Sequence, residues 1–231
     1  MNPKQLAAEL AVSHIRTGMT IGLGTGSTAA FAIHALGKRF HAENLVLRCI
    51  ATSQASEDLG RSYRLPFVDF ADVNGFDITI DGADEVDPQF RLIKGGGGAL
   101  VREKIVAAAT VMEIIIVDET KVKAVLGAFP LPVAVLPYAW EWTQARVQGK
   151  FGVQAPRRTF ASGEPFRSDD ELYILDMTFA GPLPSPNTLE RELKTLVGVV
   201  ECGLFVGLCQ KLIIGYADGR VEEKAAPTTL G

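Results

Sequence analysis

The chain has 231 residues, 47% of them hydrophobic and 22% charged, which is ample apolar material for a core. A formal net charge of −4 and a pI near 5.5 argue against a nucleic-acid or anionic-membrane partner, since both reward a basic face. A phosphorylated small molecule is not excluded, because a local pocket of amides and lysines is enough to hold it.

Charges recur through Asn2 to Leu10, so the N-terminus reads as neither signal peptide nor anchor, and the longest apolar runs, such as Ile114 to Val117, are of strand length. Cys49, Cys202 and Cys209 have no paired spacing; they make no disulfide framework or zinc site and point to a reducing, cytoplasmic setting.

In chain order, residues 3–17 read as a helix, with Pro3 in its first turn and Gly18 past its end. Met19 to Leu23 is an apolar strand, followed by Gly24-Thr25-Gly26-Ser27-Thr28 and a helix from Ala29 to Leu36. Leu45 to Ala51 is a strand, and Thr52-Ser53 caps a helix through Arg61. Phe67 to Phe70 reads as a short edge strand, Phe76 to Ile80 and Arg91 to Lys94 as further strands. Gly95 to Gly98 lead into a helix from Ala99 to Thr110, and Glu113 to Val117 is the next strand. This alternation is the pattern of a parallel sheet covered by helices. From Pro130 prolines become frequent. Strands at Val133 to Leu136 and Leu172 to Met177 with helices at 139–148 and 187–196 read as a small α+β unit. The tail, with Gly203 to Val206 and Leu212 to Gly215, is expected to rejoin the first sheet.

Three stretches carry chemistry. The glycines at 22, 24 and 26 lie between a strand and a helix, where backbone can approach a ligand and free N–H groups face an anion. The dinucleotide fingerprint is matched only loosely. No acidic residue ends the second strand to hold a ribose, so a single phosphate fits better than a dinucleotide; a ligand-free turn also fits. Asp81, Asp84, Glu85 and Asp87 follow an apolar strand. Close carboxylates there can divide into an acid and a base, but a solvated turn, a helix cap or a metal site fits the same residues, though their spacing matches no calcium loop. Lys94 precedes the four glycines. In the helix beyond, Leu100, Val101, Ile105, Ala107 and Ala108 form an apolar arc, with Arg102 pointing away and Glu103 and Lys104 at its margin or within it. A charge so placed is paired or faces a cleft. All three histidines precede the second strand, which disfavours a histidine base or metal site. What remains is proton transfer beside a carbonyl, by a carboxylate base with a lysine on the developing oxyanion.

The same residues resemble the type A ribose-5-phosphate isomerases. The matching stretches are Gly22 to Ala29, Asp81 to Glu85, Lys94 to Leu100, Arg102 to Lys104 and Asp118 to Lys121, and the likeness runs through most of 4–137 and again from Val200 to Gly215. The resemblance implies interconversion of ribose 5-phosphate and ribulose 5-phosphate in the pentose phosphate pathway, without cofactor or metal, in a homodimer or homotetramer. It implies Glu103 as the base moving a proton between C1 and C2, Asp81 in ring opening and hydroxyl proton transfer with Asp84 beside it, and Lys94 on the enediolate. Thr25, Gly26, Ser27 and Thr28 with Lys4 and Lys121 would hold substrate, chiefly its phosphate; Gly82, Ala83, Gly95, Gly96 and Gly97 complete the substrate-binding set. The segments Arg157 to Phe166 and Ser168 to Glu171 depart from the family's pattern, as does Cys202, which bears on a lid and on subunit contacts. The expected architecture is α/β. It has a Rossmann-like parallel-sheet main domain (1–129 and 203–231) with helices on both faces, and a smaller α+β (ferredoxin-like) lid over 130–202. The other readings weighed are an isomerase of another sugar phosphate, a non-catalytic sugar-phosphate sensor and a nicotinamide-dependent dehydrogenase.

Overall fold

The computed structural model describes residues 2–227. Its elements are α1 (Pro3–Val12), β1 (Thr20–Leu23), α2 (Ser27–Glu43), β2 (Arg48–Ala51), α3 (Gln54–Ser62), β3 (Phe76–Gly82), β4 (Glu85–Val86), β5 (Leu92–Ile93), α4 (Leu100–Ala108), β6 (Thr110–Asp118), β7 (Leu131–Val135), α5 (Trp140–Phe151), β8 (Tyr173–Met177), α6 (Pro186–Lys194), β9 (Val199–Cys202), β10 (Leu204–Phe205), β11 (Lys211–Gly215) and β12 (Val221–Ala225). They form two compact units. The first is Met1–Ala83, Arg102–Val122 and Gly207–Gly231; the second is Asp84–Val101 and Lys123–Val206.

The first unit is built on one sheet in the order β12-β11-β6-β3-β1-β2, parallel except for the antiparallel β11–β12 pair. Strand alternation sorts its residues to two faces. Ile21, Leu23, Ile78, Ile80, Ile114, Ile116 and Ile213 share one buried cluster with Ala7, Ala11, Ile33 and Leu36 of α1 and α2. The opposite face takes α4 at Gly22, where a Cβ would fall 2.1 Å from Thr79 Oγ1 and 2.8 Å from Val106 Cγ1. No side chain larger than glycine's hydrogen leaves that helix room to pack.

The second unit has a three-stranded antiparallel sheet, β8-β7-β9, whose connections are α5 and α6, and a smaller antiparallel sheet, β10-β5-β4. Leu131, Val133, Val135, Val147, Leu175, Met177, Leu189 and Leu193 form its core. Residues 84–101, 123–129 and 203–206, expected in the main domain, fall here, because β4, β5 and β10 pair with one another and not with the long sheet. Only the later part of the tail, β11, joins the parallel strands.

The local structure differs from expectation at several points, the first helix ending at Val12 and not at 17. The helix expected to stop at Leu36 runs on through Gly37 to Glu43, because Gly37 is a slot for Tyr63: a Cβ there would lie 2.2 Å from Tyr63 Cγ. The edge strand expected at Phe67 to Phe70 is one bridge, Cys49 with Phe67; Phe70 then turns away and sets its ring edge-on to Phe76, centroids 5.4 Å apart. β12, unpredicted, is a charged edge strand whose Glu223 pairs with Lys211 at 2.5 Å and His14 at 2.9 Å.

Candidate active site

Parallel strands end at one edge of a sheet, and the first unit gathers its polar loops there. After β1 the chain makes the glycine loop, tied to the next strand by Gly24 N–H donating to Ile80 O at 3.0 Å. Asp81, at the end of β3 and 1% exposed, receives the Thr25 N–H at 3.0 Å and the Gly82 N–H at 2.7 Å, both on Oδ1. Gly24 makes that approach feasible, since a Cβ there would lie 2.2 Å from Asp81 Oδ1. Gly26 then enters α2 at φ +101°, and Ser27 and Thr28 open the helix with its first N–H groups unclaimed by the helix itself.

Lys4 reaches the same helix start, its Nζ donating to Ser27 Oγ at 2.9 Å. Its place is set by Asn2, whose side chain caps α1, and by Gly215, which has no Cβ to strike Pro3 O. Lys121 ends the 3-10 turn after β6, a turn capped by Asp118, which accepts from Thr120 N–H at 3.0 Å. Two supports were not anticipated as such. Thr52 binds Thr25 through their hydroxyls at 2.7 Å, and Ser56 Oγ donates to Gly24 O at 2.7 Å. Thr52 reads as cap chemistry in the sequence, and Ser56 reads only as one residue of the helix that follows.

Glu103 lies in the first turn of α4. One residue separates α4 from the start of β6, so the helix runs back along the sheet and its first turn lies at the carboxyl edge. The buried residues Leu100, Glu103, Lys104 and Ala107 make an i, i+3, i+4, i+7 stripe with two charges in it, Glu103 being 5% exposed. Ile105, expected in the apolar arc, is instead exposed, as is Ala108. Burial followed the charged pair because the helix turns its stripe, not its most apolar side chain, toward the protein.

The second unit holds the remaining site candidates. Asp84 takes the Gly96 N–H on Oδ2 at 2.8 Å, while its own N–H donates to Ile93 O at 2.8 Å. Lys94 is 2% exposed, its N–H donates to Gly203 O at 2.9 Å, and its ammonium stands 5.4 Å from the Phe205 ring centroid. Gly95 and Gly98 have φ of +99° and +84°, and a Cβ on Gly96 would fall 2.5 Å from Asp84 Oδ1. Gly97 is exposed. The other acidic-loop members have structural partners: Glu85 accepts the Gly127 and Phe129 N–H groups, both at 2.7 Å, and Asp87 caps its own turn and pairs with Arg91 at 2.5 Å. Gly82 and Ala83 are the covalent link from Asp81 to Asp84.

Among the described residues the one cluster with metal-ligand spacing is Glu190, Glu201 and Cys202, away from all these candidates in the sequence, and Lys194 already pairs with Glu201 at 2.9 Å. No helix among them is long and apolar enough to cross a membrane.

An anion-ready helix start beside a buried carboxylate, at the carboxyl edge of a parallel sheet, defines an α/β protein that handles a small phosphorylated ligand. Comparison with known proteins agrees. The model of ribose 5-phosphate isomerase A (phosphoriboisomerase A) matches residues 48–219. A ribose-5-phosphate isomerase A of Bacillus mycoides (strain KBAB4) is 43% identical over 96% of this chain and 99% of its own, and one of Synechococcus sp. (strain JA-3-3Ab) is 44% identical over 94% of each. The solved ribose 5-phosphate isomerase of Plasmodium falciparum superposes with a TM-score of 0.93 at 34% identity, covering 96% of this chain and 97% of that one. A D-ribose-5-phosphate isomerase in complex with phospho-erythronic acid gives 0.92 at 33%, covering 97% and 100%. The chain belongs to the ribose 5-phosphate isomerase A family and is an isomerase.

Proposed function

We propose that the chain interconverts D-ribose 5-phosphate and D-ribulose 5-phosphate through an enediolate, with Glu103 as the base. The observation that carries the assignment is Glu103 itself, a carboxylate in the buried stripe of a helix's first turn. A base that must take a proton from carbon works best where water is kept away. Asp81 takes the anomeric hydroxyl proton as the ring opens and passes it to the ring oxygen. Glu103 then removes the C2 proton of the open aldose, the electron pair moves to the C1 oxygen, and the Lys94 ammonium balances that charge. Glu103 then returns its proton to C1 while Asp81 moves the O2 proton to O1, which yields the ketose. C1 is reduced as C2 is oxidised, so the step is redox-neutral within one molecule.

Asp84 assists Asp81, and Lys4, Lys121 and residues 25–28 hold the phosphate by amides, hydroxyls and ammonium groups. The bound ligand of one relative fits the same chemistry: phospho-erythronic acid carries a planar carboxylate where the substrate develops its enediolate. The fourfold-glycine segment, with Gly82 and Ala83, supplies backbone close to the sugar. We also place the enzyme in the cytoplasm as a homodimer or homotetramer. The exposed Leu136, Tyr138, Trp142, Val197 and Val200 offer apolar surface for such an assembly, and sedimentation checks it.

Purified protein is expected to isomerise ribose 5-phosphate in EDTA, and Glu103→Gln to lower kcat by roughly two to four powers of ten at similar KM. Near-normal turnover in that variant removes Glu103 as the base. Loss in EDTA that a divalent ion restores moves the acidic loop to a metal role.

A further inference from the structure

The segment that departs from the family's pattern, Arg157 to Phe166, touches the glycine run within the second unit. Arg158 Nε and Nη2 bind the two oxygens of Asp176 at 2.9 and 2.5 Å. That bidentate pair fixes the guanidinium plane and leaves Nη1, whose two N–H groups donate to Gly95 O at 3.0 Å and Gly96 O at 2.9 Å. The Phe166 ring fills the space a Cβ on Gly98 would need, 2.4 Å from that position, and lies 5.6 Å from the Arg158 guanidinium.

One peptide unit joins these contacts. The Gly95 carbonyl and the Gly96 N–H belong to the same planar group and point opposite ways in a trans peptide. Arg158 holds the carbonyl end, and Asp84 Oδ2 takes the N–H end at 2.8 Å. Glycines on both sides of that peptide would let it flip at little steric cost, so the sequence itself does not hold it. We infer that Arg158, aimed by Asp176, is a positioning residue of the isomerisation site: it fixes the Gly95–Gly96 peptide so that its N–H is delivered to Asp84 and the backbone after Lys94 keeps one conformation. This rests on the proposed roles of Asp84 and Lys94. A cation bound to the carbonyl also polarises the peptide and strengthens its N–H as a donor.

The test uses R158M, R158A and R158K in the full-length protein, with two readouts. In kinetics with ribose 5-phosphate, R158M is expected to lose about 10- to 100-fold in kcat, the worth of one or two charge-assisted hydrogen bonds, with KM within about threefold. R158K should recover part of that loss, and millimolar guanidinium added to R158A should restore turnover several-fold. In hydrogen exchange, the Gly96 amide should exchange at least about tenfold faster in R158M, while the Lys94 amide, bonded to Gly203 O, stays as in the parent. A kcat within twofold of the parent, or Gly96 and Lys94 amides accelerating by the same factor, overturns the inference, since both mark a merely structural ion pair. Should R158M and R158A not fold, R158K carries both readouts. The exchange measurement needs no substrate, so it decides the role of Arg158 even if the parent protein proves inactive on ribose 5-phosphate.

Discussion

Gly24→Ala tests how tightly the glycine loop is pressed on Asp81. A Cβ at 24 would stand 2.2 Å from Asp81 Oδ1, 2.3 Å from its Cγ and 2.5 Å from its Cα. Carbon contacts settle near about 3.5–4.0 Å, so the loop and the end of β3 must part by roughly 1 Å, and the Cα shows that backbone has to move. The loop is tied to that strand by the Gly24 and Thr25 N–H bonds, both 3.0 Å long, which stretch as it leaves. Overpacking costs about 1–3 kcal/mol, and weakening a hydrogen bond to a buried carboxylate adds about 1.5–3 kcal/mol. The sum, about 2.5–6 kcal/mol, lowers Tm by roughly 5–24 °C in a chain of this size. Asp81 displaced by that distance should cut kcat about 100-fold in the folded fraction. Gly26→Ala is the control: at φ +101° with nothing within 4 Å of the added carbon, it meets backbone strain and no collision. Thermal unfolding and steady-state kinetics on both variants decide the matter. A Gly24→Ala protein melting within about 3 °C of the parent with kcat intact, or a larger loss in Gly26→Ala, refutes the contact as drawn.

Lys121→Ala should raise KM for ribose 5-phosphate while leaving turnover of free ribose unchanged; an equal effect on both sugars contradicts a phosphate role. Burial pushes the Cys49 thiol up to about 12 from an ordinary value of 9.0. Between those pH values the unfolded chain has lost the thiol proton and the folded chain keeps it, so stability present below about pH 9 falls as pH rises toward 12, by up to about 1.4 kcal/mol per unit. Cys49→Ala should flatten the denaturation-midpoint curve over that window relative to the parent, and a parallel curve would show that Cys49 ionises as readily in the folded protein.

Strand-and-helix alternation was legible because each element obeys its own period: Ile78 and Ile80 alternate with Asp77 and Thr79, and Ser53, two residues after β2, does cap α3 by accepting from Ser56 N–H at 3.2 Å. What failed to read were features decided by partners far along the chain. Gly37 looks like a helix stop until Tyr63 is known to occupy its face. β12 has no apolar pattern because it is an exposed edge held by Lys211 and His14. Residues 84–101 sit beside the motif strands in sequence, yet their strands pair with β10, more than 100 residues onward, and so build another unit. The burial of Glu103 and Lys104 was legible, since a charge in a helix's buried stripe is visible from spacing alone. The role of each carboxylate was not: Asp81, Asp84, Glu85 and Asp87 carry the same charge and all accept backbone N–H groups, Asp87 pairing with Arg91 besides.

The departures from the family's pattern sharpen this distinction. Arg157 to Phe166 is one of the stretches expected to fit the family's pattern poorly, which made it a place to expect an altered lid and altered subunit contacts. In the structure the Arg157 guanidinium lies 4.2 and 4.8 Å from the Trp140 and Tyr173 ring centroids, while its neighbour Arg158 crosses to the carbonyls of Gly95 and Gly96. The glycine run, by contrast, is among the strongest points of resemblance, yet glycines supply no rigidity of their own. A conformation that only glycine permits has to be held by something else, and here the holder lies in the divergent segment. Substitutions at Arg158, Asp176 or Phe166 should therefore reach the chemistry through Gly95, Gly96 and Gly98, although none of the three lies in the stretches quoted for the resemblance.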